Sequence, residues 1–300
     1  MPSIPPPRDK GSTKTTDVPL YWCTYGDARG ERFVLLHGGP GAHHDYLLPQ
    51  MLRLARSPNG GSRDLVFYDQ RGGGRSRSDN REQDGYLGWQ THVADLDRLV
   101  SELEVAPLTL VGYSWGGLLA LLYAREAVAG RVANAASRMI LIDPAPVSRP
   151  FRVQFEEEFA RRQAGAEVRR LREELATSGL RERDLDAYRH RSFELSVAGY
   201  FADPRAATDL TPFRVTGRVQ QAVWESLGDY DLLTDRDFKR ISTPTLIVHG
   251  KQDPIPLASS EACASALHAS LVVIDQCGHV PYVEQPDALF AAIEGFLGRN

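Results

Sequence analysis

The sequence predicts an α/β fold: a mostly parallel central sheet flanked by helices, with a helical segment inserted before the last strands. Three observations carry that prediction. Short, solidly apolar runs alternate with helical patterns from residue 20 to 145 and again from 241 onward, the signature of strands covered on both faces. Between these stretches, residues 146–240 lose the strand signal and become densely and evenly charged. The third is Gly112-Tyr113-Ser114-Trp115-Gly116, a G-x-S-x-G placed where an apolar strand gives way to an apolar helix.

Each element follows from its residues. The Pro-rich and polar residues 1–19 lack an apolar core of the kind a secretory signal needs, and they read as a loose tail. Strands are expected at 20–25, 33–37, 65–69, 108–113 and 139–143. Residues 92–103 carry Val93, Leu96, Leu99 and Val100 at helical spacing, and 115–125 forms a second helix. Residues 105–124 contain no charge and match a membrane span in length. Pro107 and Gly112, Gly116 and Gly117 divide them instead into a buried strand, a tight turn and a buried helix. Further strands are expected at 245–249 and 271–274, with a last helix at 286–297. The core therefore comprises 20–145 and 241–300, and 146–240 is a helical cap. In that cap Phe151, Phe155 and Phe159 form one apolar stripe, and Phe193, Val197, Tyr200 and Phe201 form another. Over the carboxyl ends of the strands such a cap would act as a lid.

Composition narrows the function. The 300 residues hold 35 Lys plus Arg against 39 Asp plus Glu, so no global basic field argues for nucleic acid or an anionic membrane. A small molecule or short peptide is the expected partner. Cys23, Cys263 and Cys277 are scattered without C-x-x-C spacing, which fits a reducing, cytoplasmic setting and neither a disulfide framework nor a zinc module. His43, His44 and Asp45 lack the spacing of a metal site, and Gly39-Pro40-Gly41 lacks the third glycine of a dinucleotide loop. No metal or cofactor is expected.

The remaining motifs describe nucleophilic catalysis. A serine hydroxyl needs a base, and the base needs an acid to orient it. Ser114 is the expected nucleophile, Asp253 in the loop after strand 245–249 the acid, and His279 in the loop after strand 271–274 the base. Asp143, at the end of its strand, is the rival acid. His249 reads as a packed residue, and His190 and His268 as helix-surface residues. The backbone N–H groups of Gly39, in the His37-Gly38-Gly39-Pro40-Gly41 loop, and of Trp115 are the expected oxyanion donors.

HGGPG at 37–41, DQRGGGRS at 69–76, GYSWGG at 112–117, HGKQDP at 249–254 and CGHVPYVEQP at 277–286 together resemble the proline iminopeptidase (prolyl aminopeptidase) family of α/β-hydrolases. The likeness covers roughly residues 30–145 and 240–295. It implies a triad on Ser114, Asp253 and His279, an oxyanion hole at Gly39 and Trp115, and no cofactor. It also implies release of an N-terminal proline or another small residue from short peptides or amides, with Asp69, Gln70 and Arg71 in a mainly structural loop. Tyr113 stands where such peptidases usually carry Gly, and the cap has no matching motif. Glu194 and Glu225, beside Phe193 and Trp224, are the candidates for holding a substrate's free amine. A carboxylesterase or lactonase needs the same triad without an amine anchor, and a non-catalytic ligand-binding protein on the same fold is the rival from a different class. Epoxide hydrolases and dehalogenases use an Asp nucleophile, which Ser114 argues against.

Overall fold

The computed structural model describes residues 4–57, 60–77 and 86–298. Among the described residues eight strands form one sheet: β1 (Asp9–Ser12), β2 (Tyr21–Gly26), β3 (Glu31–Leu36), β4 (Arg63–Tyr68), β5 (Leu108–Tyr113), β6 (Arg138–Ile142), β7 (Thr245–Gly250) and β8 (Ser270–Ile274). Their order is β1-β2-β4-β3-β5-β6-β7-β8. β1 and β2 pair antiparallel with each other and β2 with β4, and every other pairing is parallel.

Alternation along each strand sends side chains to two separate cores. Val34, Leu36, Val66 and Tyr68 join an apolar cluster on one face, with α2 (Trp89–Glu102), α3 (Trp115–Val128) and α9 (Leu257–Leu267). Phe33, Leu35, Leu65 and Phe67 join the cluster on the other face, with α1 (Leu48–Met51), α10 (Pro281–Glu284) and α11 (Pro286–Leu297). Burial on both faces explains why β4, β5 and β7 are buried at every residue. The last strand, β8, is half exposed because nothing pairs its outer edge among the described residues.

Between β6 and β7 the chain forms α4 (Arg149–Gln163), α5 (Ala166–Thr177), α6 (Leu180–Arg183), α7 (Leu185–Val197) and α8 (Gly217–Leu227), joined by short 3-10 turns. Among the described residues this insertion contains no strand, and no helix of the chain is long and apolar enough to cross a membrane.

The N-terminal segment departs from the expected loose tail. Asp9–Ser12 pairs with β2, Thr13, Thr16 and Val18 are buried, and Asp17 forms an ion pair with Arg71. The strand DKGS has no apolar alternation because it lies on the sheet edge and is held by main-chain hydrogen bonds. Residues 1–3 of that tail, and 299–300 at the other end, lie outside the described residues.

Candidate active site

The site grows from the turn between β5 and α3. Ser114 has φ 54° and ψ −118°, a conformation that L residues rarely adopt. The turn is this sharp because its neighbours have no side chains. A Cβ on Gly112 would run into the carbonyl oxygen of Gly116, and one on Gly116 into that of Leu36. Gly38 is under the same constraint: its Cβ would lie 2.9 Å from the Ser114 Cβ. The Ser114 carbonyl accepts from Gly117 N–H (2.9 Å) and Ala145 N–H (2.9 Å), and Ser114 N–H donates to the Ile142 carbonyl (2.9 Å). The strained residue is thus pinned from three directions.

His279 and Asp253 reach Ser114 from two loops that the chain ties together. Gln252 N–H donates to the Cys277 carbonyl (2.8 Å), and Cys277 N–H to Gln252 Oε1 (2.9 Å). The Ser114 hydroxyl donates to His279 Nε2 at 2.9 Å, and His279 Nδ1–H donates to Asp253 Oδ2 at 2.8 Å. Asp253 Oδ1 accepts from Ile255 N–H (2.7 Å). Burial lowers the His279 pKa to about 4, so the resting imidazole is neutral and can receive a proton. Such a relay can draw the hydroxyl proton off Ser114 as its oxygen attacks an electrophile. The structure brings these three residues together. Asp143 lies behind Asp253, its Oδ1 accepting from Gly250 N–H at 2.7 Å.

Gly39, with φ 59°, and Trp115, the first residue of α3, both line the cavity that holds Ser114. Among the described residues neither backbone N–H has an acceptor in the protein. Free amides at a helix start and in a glycine loop are suited to a developing oxyanion.

Gln70 holds this region together. Its N–H donates to His37 Nε2 (3.1 Å), its side-chain amide to the His37 carbonyl (2.9 Å), and its Oε1 accepts the Trp115 indole N–H (2.8 Å). One buried side chain therefore clamps the two segments that carry Gly39 and Trp115. The adjoining Arg71 pairs with buried Asp95 (2.7 Å) and with Asp17, while Asp69 accepts from His44 Nδ1–H (2.6 Å). His44 thus serves the loop's own hydrogen bonds, and Asp45 pairs with Arg75 (3.0 Å). His249 is packed, with ring contacts to Ser260 Oγ (3.0 Å) and the Ile255 carbonyl (3.2 Å).

The cavity above Ser114 has a volume of about 950 Å³. Aromatic side chains form part of its wall: Tyr46 and Phe213 stack at 4.4 Å, and Phe159 and Tyr200 pack at 4.4 Å. Phe155 and Phe159 of the α4 stripe line this space instead of a closed core. Tyr200 also stacks on His279 at 4.9 Å, and its carbonyl accepts His279 N–H at 2.7 Å. In the sequence Tyr200 marks only an apolar helical face, because a contact across 79 positions leaves no local signal. Glu225 lines the cavity and accepts from the Gln221 amide (2.7 Å). Glu194 does not line it. That carboxylate is turned to an ion pair with Arg191 (2.7 Å) and a contact with His190 Nε2 (3.0 Å), three and four residues away on α7, so its expected place against a substrate amine is corrected. A second cavity carboxylate, Glu156, pairs with Arg152, which also lies over the Trp224 ring.

A profile of the alpha/beta hydrolase family matches residues 33–293. The chain belongs to that family. Its sequence is similar to proline iminopeptidases. It is 25% identical to the one from Saccharolobus solfataricus across 96% of this chain and 92% of that protein, and 26% identical to the one from Lactiplantibacillus plantarum across 93% and 97%. The proline iminopeptidase of Lactobacillus delbrueckii subsp. lactis is 37% identical, but there the match spans only 34% of this chain and 35% of that protein's length. Among solved structures, a proline iminopeptidase-related protein from Thermus thermophilus superposes with a TM-score of 0.69 at 22% identity, covering 97% of both chains. MGS-M2, an alpha/beta hydrolase from a deep-sea metagenome library, gives 0.62 at 20% identity over 97% and 98%. At these identities the structural likeness speaks for the fold.

Proposed function

We propose that this chain is a hydrolase that works through Ser114, His279 and Asp253, forming an acyl-enzyme with small amides or esters. The hydrogen-bonded chain from Ser114 Oγ through His279 to Asp253, opening into the cavity, carries the reading. Ser114 Oγ attacks the substrate carbonyl as its proton passes to His279 Nε2. The amides of Gly39 and Trp115 hold the resulting oxyanion. As the tetrahedral intermediate collapses, the bond to the leaving group breaks and His279 returns the proton to it. Water, deprotonated by His279, then releases the acid and restores Ser114. This sequence requires no cofactor.

We further infer that the substrates are short peptides or amides with a free N-terminal proline or another small residue. The proline iminopeptidase relatives favour that choice, as does Glu225, a cavity carboxylate with no cation paired to it among the described residues. A carboxylesterase or lactonase is the second reading, favoured by the aromatic wall around Ser114. The helices between β6 and β7 act as a cap in either case, since they supply Phe155, Phe159, Tyr200 and Trp224 to the cavity. All three cysteines are buried and free, in keeping with the reducing, cytoplasmic compartment we propose.

A fluorophosphonate should label the wild type covalently and leave Ser114→Ala unlabelled. Labelling of both would place the nucleophile elsewhere, and labelling of neither would favour a binding protein. A proline anilide, its N-acetylated form and a short nitrophenyl ester should rank in that test with the free amine far above the acetylated compound. Equal turnover of the two anilides would remove the aminopeptidase reading and leave the esterase one.

A further inference from the structure

The residues around Asp253 present a charge problem that the triad alone does not solve. Asp143, at the end of β6, and Asp253, after β7, are both buried, and one ligating atom from each of Asp143, His249 and Asp253 lies within 4.8 Å of the others. The other charged and titratable groups facing them among the described residues are His279 and Cys277 from the loop after β8, His249 from β7, Glu284 from α10 and Arg162 from α4, together with the phenols of Tyr113 from β5, Tyr200 from the turn after α7 and Tyr282 from α10, which burial keeps neutral. His249 is neutral, its pKa lowered to about 4 by burial, and Glu284 spends its oxygens on the amides of Ala202, Gly278 and Val280. Arg162 is engaged with Glu158 and the Gln252 carbonyl. Two adjacent buried carboxylates are left with little positive charge beside them.

The hydrogen bonds are unequal. Both Asp253 oxygens accept protein donors, from Ile255 N–H and His279 Nδ1–H. Asp143 Oδ1 accepts Gly250 N–H, whereas its Oδ2 is buried with no donor among the described residues. Asp143 is also held at φ 41°, with its N–H on the Val248 carbonyl at 2.8 Å, so its side chain is fixed in this place. A buried carboxylate oxygen without a donor is costly, and so are like charges in contact. One proton on Asp143 Oδ2 removes both difficulties, because a carboxylic acid donates and Asp253 retains lone pairs to accept.

We infer that Asp143 is a neutral carboxylic acid that donates its proton in a hydrogen bond to Asp253, making it a positioning residue for the triad acid. This rests on the proposed role of Asp253. Burial raises the pKa of both carboxyl groups, but the charge on Asp253 adds to the rise at Asp143, whereas hydrogen bonds from Asp143 and from Ile255 N–H oppose it at Asp253, the order that the geometry requires. The consequence is a division of labour: Asp143 keeps the proton, so Asp253 stays anionic and aimed at His279 when the imidazole becomes charged.

The test separates this inference from the hydrolase reading because two of its measurements need no substrate. Infrared difference spectra of wild type against Asp143→Asn at neutral pH should show loss of a protonated-carboxyl C=O band. If only a carboxylate band is lost, the inference fails. NMR titration of the His279 imidazole should give nearly the same midpoint in wild type and Asp143→Asn. Were Asp143 an anion, removing it would lower that midpoint by roughly a unit or more, and such a shift overturns the proposal. In turnover, Asp143→Ala should lose more than about tenfold in kcat, with Asp143→Asn recovering most of that loss because its amide still donates. Equal losses in the two variants would reject the donor role even with Ser114 labelled normally.

Discussion

The loops at the carboxyl ends of the strands and the helices inserted between β6 and β7 face the same cavity but are built by different rules. In the loops, backbone meets backbone. Gly250 packs so closely against the Gly278 carbonyl that no side chain fits, as at Gly112 and Gly116. Around Gln70 the polar groups have fixed partners within 3.2 Å. In the insertion, α4 has no buried residue, and its charges pair along the helix, as Arg162 does with Glu158 and Arg152 with Glu156. Surface pairs of this kind contribute roughly 0.2–1 kcal/mol each. The contrast teaches that chemistry is fixed where the backbone is crowded, whereas the insertion supplies a wall whose side chains can change at little cost to the fold. Variants in the two regions should therefore differ by orders of magnitude in effect.

The largest expected effect is at Asp253. Asp253→Asn should lower kcat by about 10⁴-fold, because an amide favours the wrong tautomer of His279. A loss under tenfold would break the assignment and the contrast with it. The same relay sets the pH profile. His279 must be deprotonated to act as base, and burial lowers its pKa to about 4. Acylation should hold steady through neutrality and fall on acidification only below the ordinary imidazole value of about 6.5. An acid limb centred at or above that value would show that the ring is not desolvated as described.

How much of this was legible in the sequence follows the same boundary. HGGPG, GYSWG and the loops of Asp253 and His279 could be read because close backbone approach leaves glycine as the only residue that fits, and glycine at fixed spacing is visible in one dimension. Ser114, His279 and Asp253 then emerged as neighbours. The strand Asp9–Ser12 was illegible because edge pairing uses main-chain groups and leaves no apolar period. Glu194 was misplaced for a related reason. Its aromatic neighbour Phe193 suggested a pocket, but partners three and four residues away on α7 had a prior claim on the carboxylate. Gln70 stood inside a recognised motif, yet its role as a clamp depends on Trp115, 45 positions on, and no local pattern encodes that distance.

Gln70 gives the intermediate test. Gln70→Met keeps the bulk and removes the hydrogen bonds of its side-chain amide to the His37 carbonyl and the Trp115 indole. Displacing oxyanion donors by a fraction of an ångström should cost roughly tenfold to a hundredfold in kcat with little change in KM. A trifluoromethyl ketone, which forms an oxyanion on Ser114, should lose affinity by a similar factor, whereas a non-hydrolysable substrate amide should not. If the two ligands weaken equally, Gln70 supports the fold in general and not the oxyanion site in particular.

The smallest effect belongs to the insertion. Glu225 is exposed on the cavity rim and Glu194 is paired on α7. An exposed carboxylate facing a substrate ammonium is worth roughly 0.2–1 kcal/mol, so Glu225→Gln should lower kcat/KM for a free-amine proline anilide by up to about fivefold. Turnover of a neutral ester should stay the same, because the lost attraction exists only where the substrate carries charge. Salt should mimic the substitution in the wild type, since an exposed pair is screened within about 10 Å at 0.1 M ionic strength. Glu194→Gln should leave that amine-to-ester ratio untouched and appear instead as a small drop in Tm, reporting the lost partner of Arg191 and His190. A Glu194 variant that changed the ratio while Glu225→Gln did not would reverse the placement of the two carboxylates. It would mean that α7 turns in solution to offer Glu194 to the cavity.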